Sequence, residues 1–316
     1  MTTTFMKWIA LSSLLILAGC QPRGPQNSAG QGVSLAQARS GFKTVLTAPV
    51  RAKEPAETAP SAIFRTLKYP APVGELTAYL SPAPGNGKKH PAIIWITGGD
   101  CNSIGDVWSP ASPDNDQTAA AYRKAGIVMM FPSLRGGNDN PGTKEGFLGE
   151  VDDVLAAAKY LEKQPYVDPK RIYLGGHSTG GTLVLLVAQA TNRFRAVFSF
   201  GPVEDVAGYG ADSGFLPFDI SNEKEVELRS PGYWMASVQS PVWIIEGVND
   251  GNIDSLRAMK NSSPNAKTHF VEVQGADHFS VLAPTNELIA QKILQDTGAT
   301  SNLALSEAEV NSRFGR

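Results

Sequence analysis

Five short apolar runs, separated mostly by stretches with helical spacing, decide most of what this chain can become. They are PAIIWITGG from Pro91, IVMMFP from Ile127, RIYLGG from Arg171, RAVFSF from Arg195 and PVWIIEG from Pro241. Each is short and lacks a polar face, as a strand buried on both sides does. Between them, NDQTAAAYRKAG opens with capping residues and closes on a glycine, which reads as a helix. GEVDDVLAAAKYLEKQ sets Val151, Val154, Leu155, Ala158 and Leu161 on one helical face. STGGTLVLLVAQA is a further helix, and THFVEVQ and NELIAQKILQD add a strand and a closing helix. IFRTLKY and GELTAYL alternate and are joined by a turn rich in proline and glycine, giving two strands ahead of the rest. Strands alternating with helices build a mostly parallel central sheet with helices on both faces. A chain of 316 residues suits a single large α/β domain of this kind.

The N-terminus reads differently. Lys7 is the only charged residue before Cys20, and WIALSSLLILAG follows it with the layout of a secretory signal. The run is too short to span a bilayer comfortably. LAGC, Leu17 to Cys20, resembles the lipobox of bacterial lipoproteins. That resemblance implies cleavage before Cys20 and a diacylglycerol on its thiol, with further acyl chains making the anchoring stable. The polar, glycine- and proline-containing stretch that follows reads as a tether, with ordered structure beginning near Ile63. The expected plan is a signal peptide over 1–19, a lipidated N-terminus and flexible tether over 20–61, and the folded domain over 62–316. The expected place is the bacterial cell envelope, tethered to the membrane by lipid. In a diderm host Gln21 after the cysteine resembles lipoproteins sent to the outer membrane, which implies a place facing the periplasm. Cys101 is left without an intrachain partner and is expected to be a small buried side chain. A formal net charge of −2 gives no basic face for nucleic acid. The sequence shows neither a phosphate loop nor a metal-ligand cluster, so no cofactor and no metal are expected.

Two buried-looking segments are joined by GGHSTGG. Gly176-His177-Ser178-Thr179-Gly180 fits G-x-S-x-G between a strand and a helix. In such an elbow the serine sits on a strained backbone with its hydroxyl exposed, at the positive end of the following helix. A plain N-cap serine is the simpler alternative. A nucleophilic Ser178 needs a base, and the chain has four histidines. His177 neighbours the serine and is expected to pack beneath it. His90 precedes its strand, at the wrong end. His269 lies within a strand. His278, in GADHFSV after the last strand, falls where parallel sheets carry their chemistry, and is the expected base. The base needs an acid to fix its tautomer. After PVWIIEG the candidates are Glu246, still in the strand, Asp250 in the loop, and Asp254 at the next helix. Glu204 and Asp205 follow the preceding strand. Asp250 is the expected acid, which gives the order Ser178, Asp250, His278 found in α/β-hydrolases. The oxyanion amides are expected from Thr179 and from TGGD, at Gly99 or Asp100.

FPSLRGG, GEVDDVLAAAKYLEKQPYVDPKRIYLGGHSTGG, RSPGYWMASVQSPVWIIEGVNDGNID and GADHFSV together resemble the catalytic domain of the prolyl-oligopeptidase (S9-like) branch of the α/β-hydrolase fold. The resemblance runs from about Ala92 to Leu282 and implies that 62–316 is an α/β-hydrolase catalytic domain. Peptidases of that family carry a large N-terminal β-propeller, for which the 20–61 stretch leaves no room. They also usually carry tyrosine where this chain has Thr179, and many hydrolases of the fold have His-Gly-Gly where this chain has Thr97. The first two departures turn the expected activity toward a serine hydrolase of carboxylic esters, with an S9-like peptidase as the alternative. A binding protein that keeps the fold without catalysis is the reading from another class. The expected partner is a small ester or a short peptide. Tyr209, Phe215, Phe218, Tyr233 and Trp234, in the segment between two strands, either line a small cap or bury themselves.

Overall fold

The computed structural model describes residues 32–210 and 215–315. The signal-peptide run and Cys20 lie outside these residues.

The apolar runs form one eight-stranded sheet. Its strands are β1 (Arg65–Ala71), β2 (Gly74–Leu80), β3 (His90–Ile96), β4 (Val128–Pro132), β5 (Val167–His177), β6 (Val197–Phe200), β7 (Val242–Gly247) and β8 (Thr268–Val273). They lie in the order β1-β2-β4-β3-β5-β6-β7-β8. Only the β1–β2 and β2–β4 pairings are antiparallel; β4 to β8 run parallel. This is the expected α/β-hydrolase sheet. The alternation of side chains divides the core in two. Ile94, Ile96, Leu174 and Ile244 face one apolar layer, and Ile93, Trp95, Tyr173 and Ile245 the other.

Helices cover both layers. α3 (Glu150–Glu162), α4 (Thr179–Ala190), α5 (Glu223–Glu227) and α6 (Ile253–Ser262) bury residues in the first. α2 (Ala120–Lys124), α7 (Leu282–Gln295) and α8 (Glu307–Asn311) bury residues in the second. The glycines and apolar residues of α4 are buried almost throughout, because it lies against β5 and β6. The loop after β4 is pinned by Arg135, whose Nε and Nη2 reach the two carboxylate oxygens of Asp153 at 2.9 Å. Its Nη1 donates to Glu145 Oε1 at 2.6 Å. The bidentate geometry fixes the turn that leads from β4 into α3.

The tether expectation is corrected by the structure. A short helix, α1 (Leu35–Arg39), opens with a capping box at Ser34 and buries Leu35 against α4. Arg39 Nη2 donates to the Leu148 carbonyl at 2.8 Å and to Asp152 at 2.9 Å. Farther on, Thr47 N donates to the Pro217 carbonyl, Lys144 N to the Val50 carbonyl and Ala52 N to the Gly136 carbonyl, at 2.8, 3.0 and 2.8 Å. Backbone polar groups paired in this way belong to a folded strap. The folded domain therefore takes in the described part of the 20–61 segment.

Candidate active site

Ser178 ends β5 and caps α4 with φ 56° and ψ −116°. A non-glycine residue in this region is strained by about 1–3 kcal/mol, and such strain persists only where the surroundings impose it. Here Ser178 N donates to the Phe200 carbonyl at 2.8 Å, and the Ser178 carbonyl accepts from Thr182 N at 2.9 Å. The turn is tight enough that a Cβ on Gly180 would stand 2.3 Å from the Ile96 carbonyl oxygen. The elbow expected from GGHSTGG is present. The Ser178 hydroxyl has no hydrogen-bond partner among the described residues, and it opens into a cavity of about 430 Å³.

His278 stands in the loop after β8. Asp277 shapes that loop by accepting from Phe279 N and Ser280 N at 3.0 and 2.8 Å and from Ser280 Oγ at 2.9 Å. His278 Nδ1 lies 2.9 Å from Glu246 Oε2. Glu246, near the end of β7, is fully buried and also accepts from Gly247 N at 2.8 Å and Asn252 N at 3.2 Å. As a hydrogen-bond acceptor, the Glu246 carboxylate favours the His278 tautomer that carries its proton on Nδ1.

The acid expected from the sequence, Asp250, is not placed to do this. Its carboxylate is exposed and accepts from Gly251 N at 2.7 Å. The rivals are also engaged elsewhere. Asp205 caps the turn at Val206–Tyr209 through Ala207 N at 2.8 Å, and the Asp254 side chain is 97% exposed. Glu246, a strand-end candidate in the sequence, is the carboxylate that reaches His278. The signal for it was a single carboxylate in the otherwise apolar PVWIIEG, where an unpartnered charge would be too costly to bury.

Gly201 and Gly251 make room for the imidazole; a Cβ on Gly251 would fall 2.6 Å from His278 Cβ. A Cβ on Gly201, whose φ is +56°, would fall 2.4 Å from His278 Cε1 and 2.7 Å from Glu246 Oε2. Gly201→Ala should displace the ring and lower turnover about 10²-fold, as misplacements of about 1 Å do, with little change in KM. Steady-state kinetics on the folded variant check this; an unchanged turnover would contradict it.

The other histidines fall where expected. His177 is fully buried beneath the elbow; its Nδ1 accepts from Gln117 Nε2 at 2.8 Å and its Nε2 donates to the His278 carbonyl at 2.9 Å. Burial, reinforced by the neighbouring His278, pushes its pKa down to about 3, so it stays neutral. Gln117 Oε1 accepts from Gly98 N at 3.2 Å, so one chain of bonds ties the loop after β3 to the loop carrying His278. His90 contacts Asn86 at the start of β3, and His269 stacks on Trp243 along β8.

Three residues lining the cavity beside Ser178 have backbone amides that donate to no described residue: Thr179, Gly99 and Asp100. The next two are occupied, Cys101 N by the Gly99 carbonyl and Asn102 N by Asp100 Oδ1. Thr179 Oγ1 donates to the Gly99 carbonyl at 2.9 Å and so locks the loop after β3 to the elbow. Cys101 is a free thiol buried in the cavity wall, and burial pushes its pKa well up, away from thiolate chemistry.

The aromatic segment divides. Tyr209 and Phe215 line the cavity with Phe147, their rings 5.3–6.0 Å apart. Phe147 has φ 75°, a second strained residue at the cavity. Trp234 and Phe218 are buried, Trp234 donating to the Glu227 carbonyl and Phe218 lying under the Arg229 guanidinium.

The sequence profile of the prolyl oligopeptidase family, Peptidase_S9, matches residues 113–280, more than half of the chain. The chain belongs to the prolyl oligopeptidase family. Similar members include the uncharacterized peptidase YuxL of Bacillus subtilis, 32% identical over 178 residues, which are 51% of this chain and 26% of YuxL. A second, the uncharacterized peptidase YtmA of the same organism, is 29% identical over 145 residues, 42% of this chain and 55% of YtmA. This chain thus matches about a quarter of the one and half of the other. Among solved structures, a puromycin-hydrolyzing peptidase of Mycobacterium tuberculosis shares the fold with a TM-score of 0.58 at 20% identity, over 74% of this chain and 39% of that one. These relatives are named as peptidases, so the preference for esters over peptides gains no support from the family.

Proposed function

We propose that this chain is a serine peptidase of short peptides, working through an acyl-enzyme on Ser178. The observation that carries this is the strained Ser178 at the mouth of a cavity, with a histidine held by a buried carboxylate at the neighbouring strand ends. Ser178 Oγ attacks the carbonyl carbon while His278 Nε2 takes its proton and passes it to the leaving amine. Glu246 fixes the Nδ1–H tautomer and stabilises the imidazolium that forms. The Thr179 amide and the Gly99 or Asp100 amide hold the oxyanion. Water then enters on the same base and releases the acyl group. The chemistry calls on neither a cofactor nor a metal. Support for the peptide bond over the ester comes from the family and from the names its members bear.

The proposal extends to location. LAGC and the run before it support a lipid on Cys20 and a place at the cell envelope, facing the periplasm in a diderm host. An acylated N-terminal peptide beginning at Cys20 is the expected mass-spectrometric result; cleavage elsewhere would contradict it.

Peptidyl nitroanilides beside p-nitrophenyl esters test the bond. Hydrolysis of at least one short peptidyl nitroanilide, abolished in Ser178→Ala, is expected. Ester hydrolysis with no measurable amide hydrolysis across the panel would return the assignment to an esterase.

A further inference from the structure

The cavity at Ser178 has a wall that the catalytic sheet does not supply. Val50, from the N-terminal strap, lines it together with Lys144, Gly146 and Phe147. The strap is fixed on both sides of Val50. Before it, the backbone of Leu46 bridges to Phe218, Val45 N donates to Glu225 Oε1 at 2.9 Å, and Thr47 N donates to the Pro217 carbonyl. Glu225 is itself buried in an ion pair with Arg229, which also donates to Thr44 Oγ1. After it, Ala52 is bonded to Gly136. At the cavity, the Val50 carbonyl accepts from the amide of Lys144, a residue of the opposite rim, at 3.0 Å.

The cavity also has a definite side. It contains Ser178 and the oxyanion amides, whereas His278 is not among its lining residues and approaches the elbow past Gly201 and Gly251. The leaving group must lie by the base that protonates it, so the cavity faces the acyl part of the substrate. Its floor is the Phe147, Tyr209 and Phe215 cluster with the neutral thiol of Cys101. Such a lining favours an apolar side chain, and a volume of about 430 Å³ has room for one up to the size of an aromatic ring.

We infer that the N-terminal strap is a built-in wall of the acyl-side pocket, and that Val50 sets how large an apolar side chain this pocket takes. The inference rests on Ser178 acting as the nucleophile. Enlarging Val50 narrows the pocket without touching the nucleophile, base or oxyanion amides. Trimming it opens the pocket toward the strap.

The test uses the full chain and two aminoalkyl diphenyl phosphonates, which transfer phosphorus to a reactive serine with loss of phenol. One carries a methyl group and the other a benzyl group at the position of the acyl side chain. The ratio of the two inactivation rates is read for wild type, Val50→Gly and Val50→Trp. Val50→Trp should shift the ratio toward the methyl probe by about tenfold or more, and Val50→Gly should shift it the other way. Ratios equal to wild type in both variants would overturn the inference while leaving the nucleophile intact. Wild-type protein that reacts with neither these probes nor a simple fluorophosphonate would remove the nucleophile and the inference together. A second measurement needs no variant. Arg51 and Lys53 flank the wall, so the benzyl adduct should slow tryptic cleavage there more than the methyl adduct does. Equal cleavage in the two adducts would also count against the wall.

Discussion

Glu246→Gln should lower turnover by about 10⁴-fold, while Asp250→Asn stays within a few-fold of wild type. The amide keeps the shape of the carboxylate; with its oxygen at the Oε1 position it still accepts from Gly247 N, while its NH2 takes the Oε2 position and Asn252 N loses its acceptor, a loss of one hydrogen bond that the fold should survive. What it loses is the charge facing His278 Nδ1 across 2.9 Å. The imidazole can then settle with its proton on the wrong nitrogen, and the imidazolium formed during attack loses its partner. Asp250 has an exposed carboxylate bonded to its own loop, so its neutralisation removes nothing from the imidazole. Turnover measured for both variants, with circular dichroism and thermal melts alongside, separates the two acids. A larger loss in Asp250→Asn would mean that the loop beyond β7 closes on His278 in the working enzyme.

Ser178→Ala and His278→Ala should each remove about 10⁶-fold of turnover, and the double variant should be little worse than either. Nucleophile and base act in one proton-coupled step, so the second loss finds nothing left to remove. Roughly 10³-fold over water should persist through the free amides of Thr179 and of Gly99 or Asp100. His269→Ala serves as the control, since that ring stacks on Trp243 along β8, away from the elbow. Losses that multiply in the double variant would break the proposed unit.

The parallel sheet was legible because each apolar run is buried on both faces, a condition few other elements satisfy. The placement of Ser178 and His278 was legible because an elbow motif and a post-strand loop fall at the same end of such a sheet. The contact between Glu246 and His278 was less legible, because a strand-end residue reads as part of the sheet and not as a partner for a loop. Glu246 still pairs in register with β8, yet its side chain sits under the imidazole that folds back over the sheet. α7 begins at Leu282, four residues before the expected start, and takes Pro284 into its first turn, where a missing N–H goes unused. The strap was illegible for another reason. Several of its anchors are backbone bonds, at Thr47, Val50 and Ala52, and such bonds leave no pattern of side chains to find. Its proline- and alanine-containing composition therefore resembles that of a tether.

The central claim is that Ser178 is a nucleophile activated through His278 and Glu246. It is tested most directly by reacting the full chain with a fluorophosphonate and mapping the adduct by mass spectrometry. The account predicts a single adduct on the tryptic peptide 172–193, at Ser178, absent in Ser178→Ala and formed far more slowly in Glu246→Gln. An unlabelled folded protein, or an adduct on any other residue, would contradict it.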